Sequence, residues 1–385
     1  MRSKKLWISL LFALTLIFTM AFSNMSASAA EEKVKYLIGF EEEAELEAFT
    51  EEIDQVGVFS VEEQSVAEDT LDIDVDIIDE YDYIDVLAVE LDPEDVDALS
   101  EEAGISFIEE DIELSIQQTV PWGITRVQAP AVHNRGITGS GVRVAILDSG
   151  ISTHEDLNVR GGVSFVPGEP TTADLNGHGT HVAGTVAALN NSIGVVGVAP
   201  SADLYAVKVL GANGRGSVSG IAQGLEWAAA NNMHIANMSL GSDAPSSTLE
   251  RAVNYATSRD VLVIAATGNN GSGSVGYPAR YANAMAVGAT DQNNRRANFS
   301  QYGTGIDIVA PGVNVQSTYP GNRYVSMNGT SMATPHVAGA AALVKQRYPS
   351  WNATQIRNHL KNTATNLGNS SQFGSGLVNA EAATR

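Results

Sequence analysis

The sequence predicts an α/β fold with a mostly parallel central sheet and helices on both faces, preceded by a small α+β unit. Three observations carry this expectation. Beyond residue 117, short β-branched and small apolar runs alternate with stretches of helical spacing, the look of strands buried on both faces and joined by helical crossovers. Each run closes on a small or polar cluster, which is where function collects in open α/β sheets. Residues 31–116 differ in composition, being acidic and patterned as strand, helix and strand.

The elements follow in chain order. Arg2, Lys4 and Lys5 precede an apolar run over 6–22, and Ala27-Ser28-Ala29 offers a small-x-small cleavage site. This is the pattern of a secretory signal over 1–29, with a new terminus at Ala30. In the next unit "YLIGF" (36–40) reads as a strand and 41–53 as a helix. The acidic run 62–82 reads as a loop or ragged strand, and 83–92 as a strand. Residues 93–104 read as a helix opened by Pro93 and closed by Gly104, and 105–114 as a last strand. In the large segment, strands fall at "VRVAILDSG" (142–150), "DLYAVKVLG" (203–211), "HIANMSLG" (234–241), "VLVIAATGN" (261–269) and "AMAVGATD" (284–291), with helices at 218–231 and 249–258. The stretch "NGTSMATPHVAGAAALV" (328–344) is apolar nearly all round and predicts a buried helix. Pro is tolerated in a helix's first turn, so Pro335 sets the start nearby. Ser331 then sits at or near the amino end, where free N–H groups and the helix dipole favour negative charge.

Charge is unevenly spread. Residues 31–116 hold 32 Asp and Glu against Lys33 and Lys35, whereas 117–385 hold 13 Asp and Glu against 17 Lys and Arg. Self-repulsion on this scale weakens the acidic unit alone, and a segment of opposite sign would steady it. There is no Cys, which excludes a thiol nucleophile, thiolate metal sites and disulfide support.

Three segments carry chemistry. "AILDSG" sets Asp148 at a strand end. "NGHGTHVAG" sets His178 and His181 in a Gly-flanked turn entering a helix, and either a metal pair or one functional and one packed His fits that spacing. A zinc protease motif needs a Glu between two His four apart, and Gly179 and Thr180 stand here instead. Ser331, taken alone, reads first as an N-cap, a role Thr330 could equally fill; the other reading is a nucleophile whose oxyanion meets the helix N–H groups.

The order Asp148, His178, Ser331, with "LDSG", "HGTHVAG" and "GTSMATPHVAG" around them, resembles the subtilisin-like serine proteases, and "VPWGITRVQAP" and "NAEAATR" are similar to the two ends of the alkaline members. The resemblance implies a signal peptide (1–29), a ferredoxin-like inhibitor and chaperone propeptide (30–116) and a subtilisin-like catalytic domain (117–385). It implies Ser331 as nucleophile, His178 as base and then acid, and Asp148 as the residue that orients the imidazole. Asn269 of "ATGNNG" matches the side-chain donor of the oxyanion hole, and His181 and His336 read as packing residues. The activity implied is a secreted, broad-specificity serine endopeptidase acting through an acyl-enzyme, self-processed after Ile116 and active at alkaline pH, where His178 is neutral.

By the same resemblance, Gly214, Arg215 and Gly216, and Ser239, Leu240 and Gly241, pair with substrate backbone. Ala266, Thr267, Gly268 and Gly276 form a roomy P1 pocket for large apolar or aromatic residues, with no acid to select a basic one. "ALNNSIGVVG" (188–197) matches a calcium loop. The oxygen ligands implied, the kind hard cations want, are Gln118, Asp156 and Asn191 with the carbonyls of Leu189, Ile193 and Val195. A weaker cation site would use Ala279 and Tyr281, with Ala284 and Asp307. The partners implied are polypeptide substrates and the chain's own propeptide, with no nucleic acid, no membrane after signal removal and a monomeric enzyme.

Overall fold

The structure, a computed structural model, describes residues 33–62, 70–81, 83–112 and 118–385. The signal segment, its cleavage site and the junction at 116 and 117 lie outside the described residues. Two compact units part between Leu114 and Ser115.

The first unit runs β1 (Val34–Phe40), α1 (Glu43–Val56), β2 (Phe59–Glu62), β3 (Thr70–Ile73), β4 (Asp76–Glu80), β5 (Val86–Leu91), α2 (Val96–Ser100) and β6 (Ile105–Glu110). β4, β5, β1 and β6 form an antiparallel sheet in that order, the strand order of a split βαβ unit. Leu46, Phe49 and Ile53 of α1 pack on Ile38, Leu87 and Val89 of the sheet. The acidic run is more regular than its charge suggested: β3 and β4 fall within it, because Ile73 and Val75 are buried and hold the chain down. Lys33, just before β1, pairs with two of its acids, Nζ lying 2.9 Å from Asp74 and 2.8 Å from Asp76.

The second unit begins with α3 (Trp122–Arg126) and α4 (Ala129–His133), then β7 (Arg143–Asp148), β8 (Val159–Ser164), α5 (His178–Ala187), β9 (Asp203–Lys208) and α6 (Val218–Ala230). It continues through β10 (Ile235–Met238), α7 (Ser247–Ser258), β11 (Leu262–Ala266), β12 (Ala284–Thr290), β13 (Ile308–Pro311), the hairpin β14 (Val315–Tyr319) and β15 (Arg323–Met327), and α8 (Thr330–Arg347). One sheet of order β13-β12-β11-β10-β7-β9-β8 is parallel throughout. β7 shows why an unbroken apolar run is needed. Val144 and Ile146 join Val182 of α5 and Val337 of α8 on one face, while Ala145 and Leu147 join Leu225 of α6 and Val253 of α7 on the other. The edge strand β8 and the short β13 escape the sequence reading: "VRGGVS" lacks an apolar run, and a strand ending in Pro311 looks like a loop.

Helix α8 is buried nearly all round. It starts at Thr330 with Gly329 as cap, so Pro335 is its sixth residue rather than a first-turn residue. The expectation from Pro position is corrected there, and the reason lies in the acceptor. A Pro at 335 withholds the N–H that would reach the Ser331 carbonyl, and Ser239 Oγ donates to that carbonyl instead, at 2.8 Å.

Close packing of α8 generates a test. A Cβ at Gly339 would come within 2.5 Å of Val198 Cβ and 3.3 Å of the Val186 carbonyl. Gly339→Ala should therefore destabilise the second unit by about 1–3 kcal/mol through overpacking, read as a lowered thermal unfolding midpoint.

Candidate active site

The carboxyl ends of four neighbouring strands supply the site. β7 ends on Asp148, which is fully buried. Its Oδ1 accepts from His178 Nδ1 at 2.7 Å, from Ser149 N at 2.8 Å and from Ser149 Oγ at 3.2 Å. Oδ2 is buried without a partner. A buried carboxylate so thinly compensated favours positive charge on the imidazole beside it. Opposite Asp148 in register stands Lys208 at the end of β9. Its buried Nζ donates to the Ser149 carbonyl at 2.6 Å and lies 3.0 Å from Glu169 Oε2, so it secures the backbone just after Asp148 without touching the carboxylate.

His178 is the first residue of α5, behind Gly177 in a left-handed conformation. A carboxylate that the motif reading passed over organises this corner. Asp174 Oδ1 accepts from Ser149 Oγ at 2.9 Å, Asn176 N at 3.0 Å and Gly177 N at 2.8 Å, and Oδ2 accepts from Thr180 N at 2.8 Å and Thr180 Oγ1 at 2.7 Å. It thus takes up orphan N–H groups at the start of α5. An acid shortly before a helix start was the available signal. Burial works to lower the His178 pKa, but the charge and hydrogen bond of Asp148, with the charge of Asp174, outweigh it and hold the imidazole above its ordinary value. His181 and His336 behave otherwise. Burial pushes both down to about 4. His181 Nε2 contacts the Val315 and Val325 carbonyls at 2.9 and 3.2 Å, and His336 Nδ1 lies 2.8 Å from the Met332 carbonyl. Each is a neutral residue packed between elements.

Ser331 is the second residue of α8, so it is not the cap. Its hydroxyl donates to the Ser239 carbonyl at 3.0 Å, just beyond β10. Among the described residues its backbone N–H finds no acceptor. Asn269 follows β11, and its Oδ1 accepts from Thr330 N and Thr330 Oγ1, both at 2.9 Å. Those two bonds commit Oδ1 as the acceptor and leave the Nδ2 protons available to donate.

Ser331 and Asn269 line a pocket whose walls are Leu240 to Asp243 and Ala266 to Asn270, with Gly276 and Gln301. The walls are tied together: Ser242 N donates to the Tyr277 carbonyl at 2.8 Å, Tyr277 N returns to Ser242 at 2.7 Å, and Gly276 N reaches the Thr267 carbonyl at 2.9 Å. The expectation of an acid-free pocket is corrected here, because Asp243 stands in the lining; it follows Gly241 by two residues, outside the segment that suggested the pocket. A second cleft of about 620 Å³ adjoins, shares Leu240, Gly241 and Ser242, and is lined by His178, Gly214, Arg215, Gly216 and Ser239. Its size is that of a ligand site. Arg215 is exposed along it.

Away from the cleft, Leu189 O, Asn191 Oδ1, Ile193 O and Val195 O all lie 2.6–3.1 Å from Gln118 Nε2. One amide nitrogen has two protons for four acceptors, so oxygens converge there beyond what Gln118 can satisfy. Asp156 is buried beside them, accepting from Asn191 Nδ2 at 2.9 Å and Val195 N at 3.0 Å, and burial raises its pKa. At the second expected cation site the Tyr281 carbonyl accepts from Ala284 N at 3.0 Å. Ala279 and Ala284 are buried nearby. Both Asp307 oxygens already face cations, Arg357 at 2.8 Å and Lys361 at 2.6 Å.

The Asp174 network makes a signed prediction. Asp174→Asn removes a negative charge that favours protonated His178, so the imidazole pKa falls. The His178 ring should titrate at lower pH by NMR, and a titration curve superimposable on that of the unsubstituted protein would refute the coupling.

Residues 139–376 match the Subtilase family. The chain is 69% identical over 375 residues to an alkaline protease of Shouchella clausii, covering 96% of this chain and 97% of that one. It is 80% identical over 268 residues to Subtilisin Savinase of Lederbergia lenta, covering 70% of this chain and all of the relative, and 50% identical to Subtilisin NAT of Bacillus subtilis subsp. natto over the full length of both. With an Asp–His pair, a serine at a helix start and a joined cleft at the sheet's carboxyl edge, the chain belongs to the subtilase family and is a serine endopeptidase.

Proposed function

We propose that Ser331 is the nucleophile, His178 its general base and Asp148 the residue that sets the imidazole tautomer. The observation that carries this reading is the 2.7 Å contact between His178 Nδ1 and Asp148 Oδ1, which commits Nδ1 as donor and leaves Nε2 free to accept a proton. The Ser331 hydroxyl turns from the Ser239 carbonyl toward Nε2 by rotation about its side chain, gives up its proton and attacks the scissile carbonyl. The Ser331 N–H and Asn269 Nδ2 receive the oxyanion; subtilisins are themselves the reference case for this effect. Protonated His178 passes its proton to the leaving amine, and water then resolves the acyl-enzyme with His178 again as base.

Substrate backbone pairs with Gly214, Arg215 and Gly216 on one side and Ser239, Leu240 and Gly241 on the other. Main-chain pairing reads few side chains, so specificity is broad, with large apolar or aromatic P1 residues seated between 266–268 and Gly276. The enzyme is secreted as a zymogen: residues 1–29 are removed as a signal, 30–116 help the catalytic domain 117–385 to fold and then inhibit it, and cleavage after Ile116 frees it as a monomer. The opposite charge of the two segments supports this, and no helix among the described residues is long and apolar enough to cross a membrane.

Calcium fits the oxygens of Asp156, Leu189, Asn191, Ile193 and Val195, with Gln118 joining them once its amide turns to present Oε1 in place of Nε2, and buried Asp156 has no cationic side chain within ion-pair distance among the described residues. When bound, the ion would supply that missing charge and pin the loop to the residues after 117. A weaker site at Ala279, Tyr281 and Ala284 would rely on carbonyls, since Asp307 is occupied.

Two experiments test these readings. The full chain should mature to a protein beginning near Gln117 that digests casein, whereas Ser331→Ala should stay unprocessed and inert; maturation and digestion by Ser331→Ala would remove Ser331 from the role of nucleophile. Calcium at a hundred times its Kd should stabilise the mature enzyme by about 2.7 kcal/mol, a gain that Asp156→Asn should shrink; equal melting in chelator and in calcium would refute the site.

A further inference from the structure

We propose that Asp243 is a specificity determinant that lets the pocket beside Ser331 accept a lysine or arginine side chain at P1 as well as apolar ones. The inference rests on the endopeptidase reading of that pocket given above.

Asp243 lies in the pocket lining with Leu240, Ala266 and Gly268. Its backbone is set by the two-way pairing of the preceding Ser242 with Tyr277. Its carboxylate is held by amides only. Gln301 Nε2 donates to Oδ1 at 3.2 Å, and Asn270 Nδ2 lies 3.2 Å from Oδ2 and 3.4 Å from Oδ1. Gln301 is itself buried and spends its other proton on the Ser274 carbonyl at 2.7 Å, so this donor is locked in place. Neutral donors orient a carboxylate and leave its charge intact.

No Lys, Arg or His among the described residues pairs with it. The cation on the neighbouring segment, Arg280, is engaged elsewhere: its Nη1 donates to Ser274 Oγ at 3.2 Å and its guanidinium lies over the Tyr277 ring. The pocket therefore combines apolar walls with one unpaired negative charge. A lysine at P1 can lay its methylene stem along Leu240 and Ala266 and bring its ammonium to the carboxylate, the division of labour that long cationic side chains use at interfaces. An acidic P1 residue meets repulsion at the same place. Because Asp243 is exposed, the attraction is modest and screened by salt.

The test uses peptide anilides that differ only at P1, carrying Lys, Met or Glu, and reads the ratio of kcat/KM values within each enzyme. The mature enzyme, Asp243→Asn and Asp243→Glu are compared at low and high ionic strength. Asn keeps an acceptor for the two amides, and Glu keeps the charge. The Lys-to-Met ratio should fall about two- to fivefold in Asp243→Asn at low salt, while the Glu-to-Met ratio rises. Asp243→Glu should hold the Lys-to-Met ratio closer to the parent value than Asp243→Asn does. High salt should bring the parent ratio down toward that of the Asn variant. Equal Lys-to-Met ratios in the parent and Asp243→Asn at low salt would overturn the assignment while leaving the endopeptidase reading intact. A parent enzyme that cleaves none of the peptides would instead overturn that reading, and this inference with it.

Discussion

A parallel sheet must return the chain to the same edge before every strand, so all its carboxyl ends open on the other. That constraint decides where chemistry can gather in this protein. Asp148, Ser239 and the run Ala266 to Asn269 are far apart in sequence, yet each ends or follows one of three adjacent strands, β7, β10 and β11. The helices that begin at this edge, α5 and α8, bring His178 and Ser331 amino end first. Free N–H groups and the positive ends of helix dipoles thus meet the strand ends, and the site needs few long loops to assemble it.

Such an edge also concentrates buried polar groups, and the second unit meets their cost with short hydrogen bonds around the carboxylates and one ion pair, Lys208 with Glu169. Ser149 serves both acids, its N–H going to Asp148 and its single hydroxyl proton to Asp174, and Thr180 returns both its N–H and its hydroxyl to Asp174. Lys208, fully buried, is placed to hold a carbonyl and to meet Glu169 near the cleft. Glu169 also accepts from Ala212 N at 2.9 Å, so the wall that carries Gly214 to Gly216 is tethered to the strand that carries Asp148. Positioning by neutral donors preserves charge where the reaction uses it and spends it where it would only compete.

What could be read in the sequence was local. Apolar runs marked β7, β9, β10, β11 and β12, and the three motifs marked the residues that line the cleft or pair within it. Strand order could not be read, since register such as Arg143 opposite Asp203 depends on packing between distant segments. Asp174 and Asp243 looked like any surface acid; what distinguishes them is the set of donors or walls brought up by other elements. The convergence on Gln118 spans more than seventy residues of chain, from 118 to 189 and beyond, and only the fold closes it. Pro335 misled for a related reason: a helix can take a proline in its second turn when an outside donor satisfies the stranded carbonyl, and that donor, Ser239, comes from the segment just beyond β10.

That stranded carbonyl has a mechanical meaning. In an ordinary helix the turn carrying Ser331 would be laced to the turn above it and would follow the helix as it bends or slides. Here the lacing is cut at Pro335 and replaced by a reciprocal pair, Ser239 Oγ to the Ser331 carbonyl and Ser331 Oγ to the Ser239 carbonyl. Ser239 is also the first residue of the strip that would grip the substrate chain. The backbone that carries the nucleophile and the strip that would carry its target are thus joined directly, through a bond at the Ser331 carbonyl that remains when the Ser331 hydroxyl turns away.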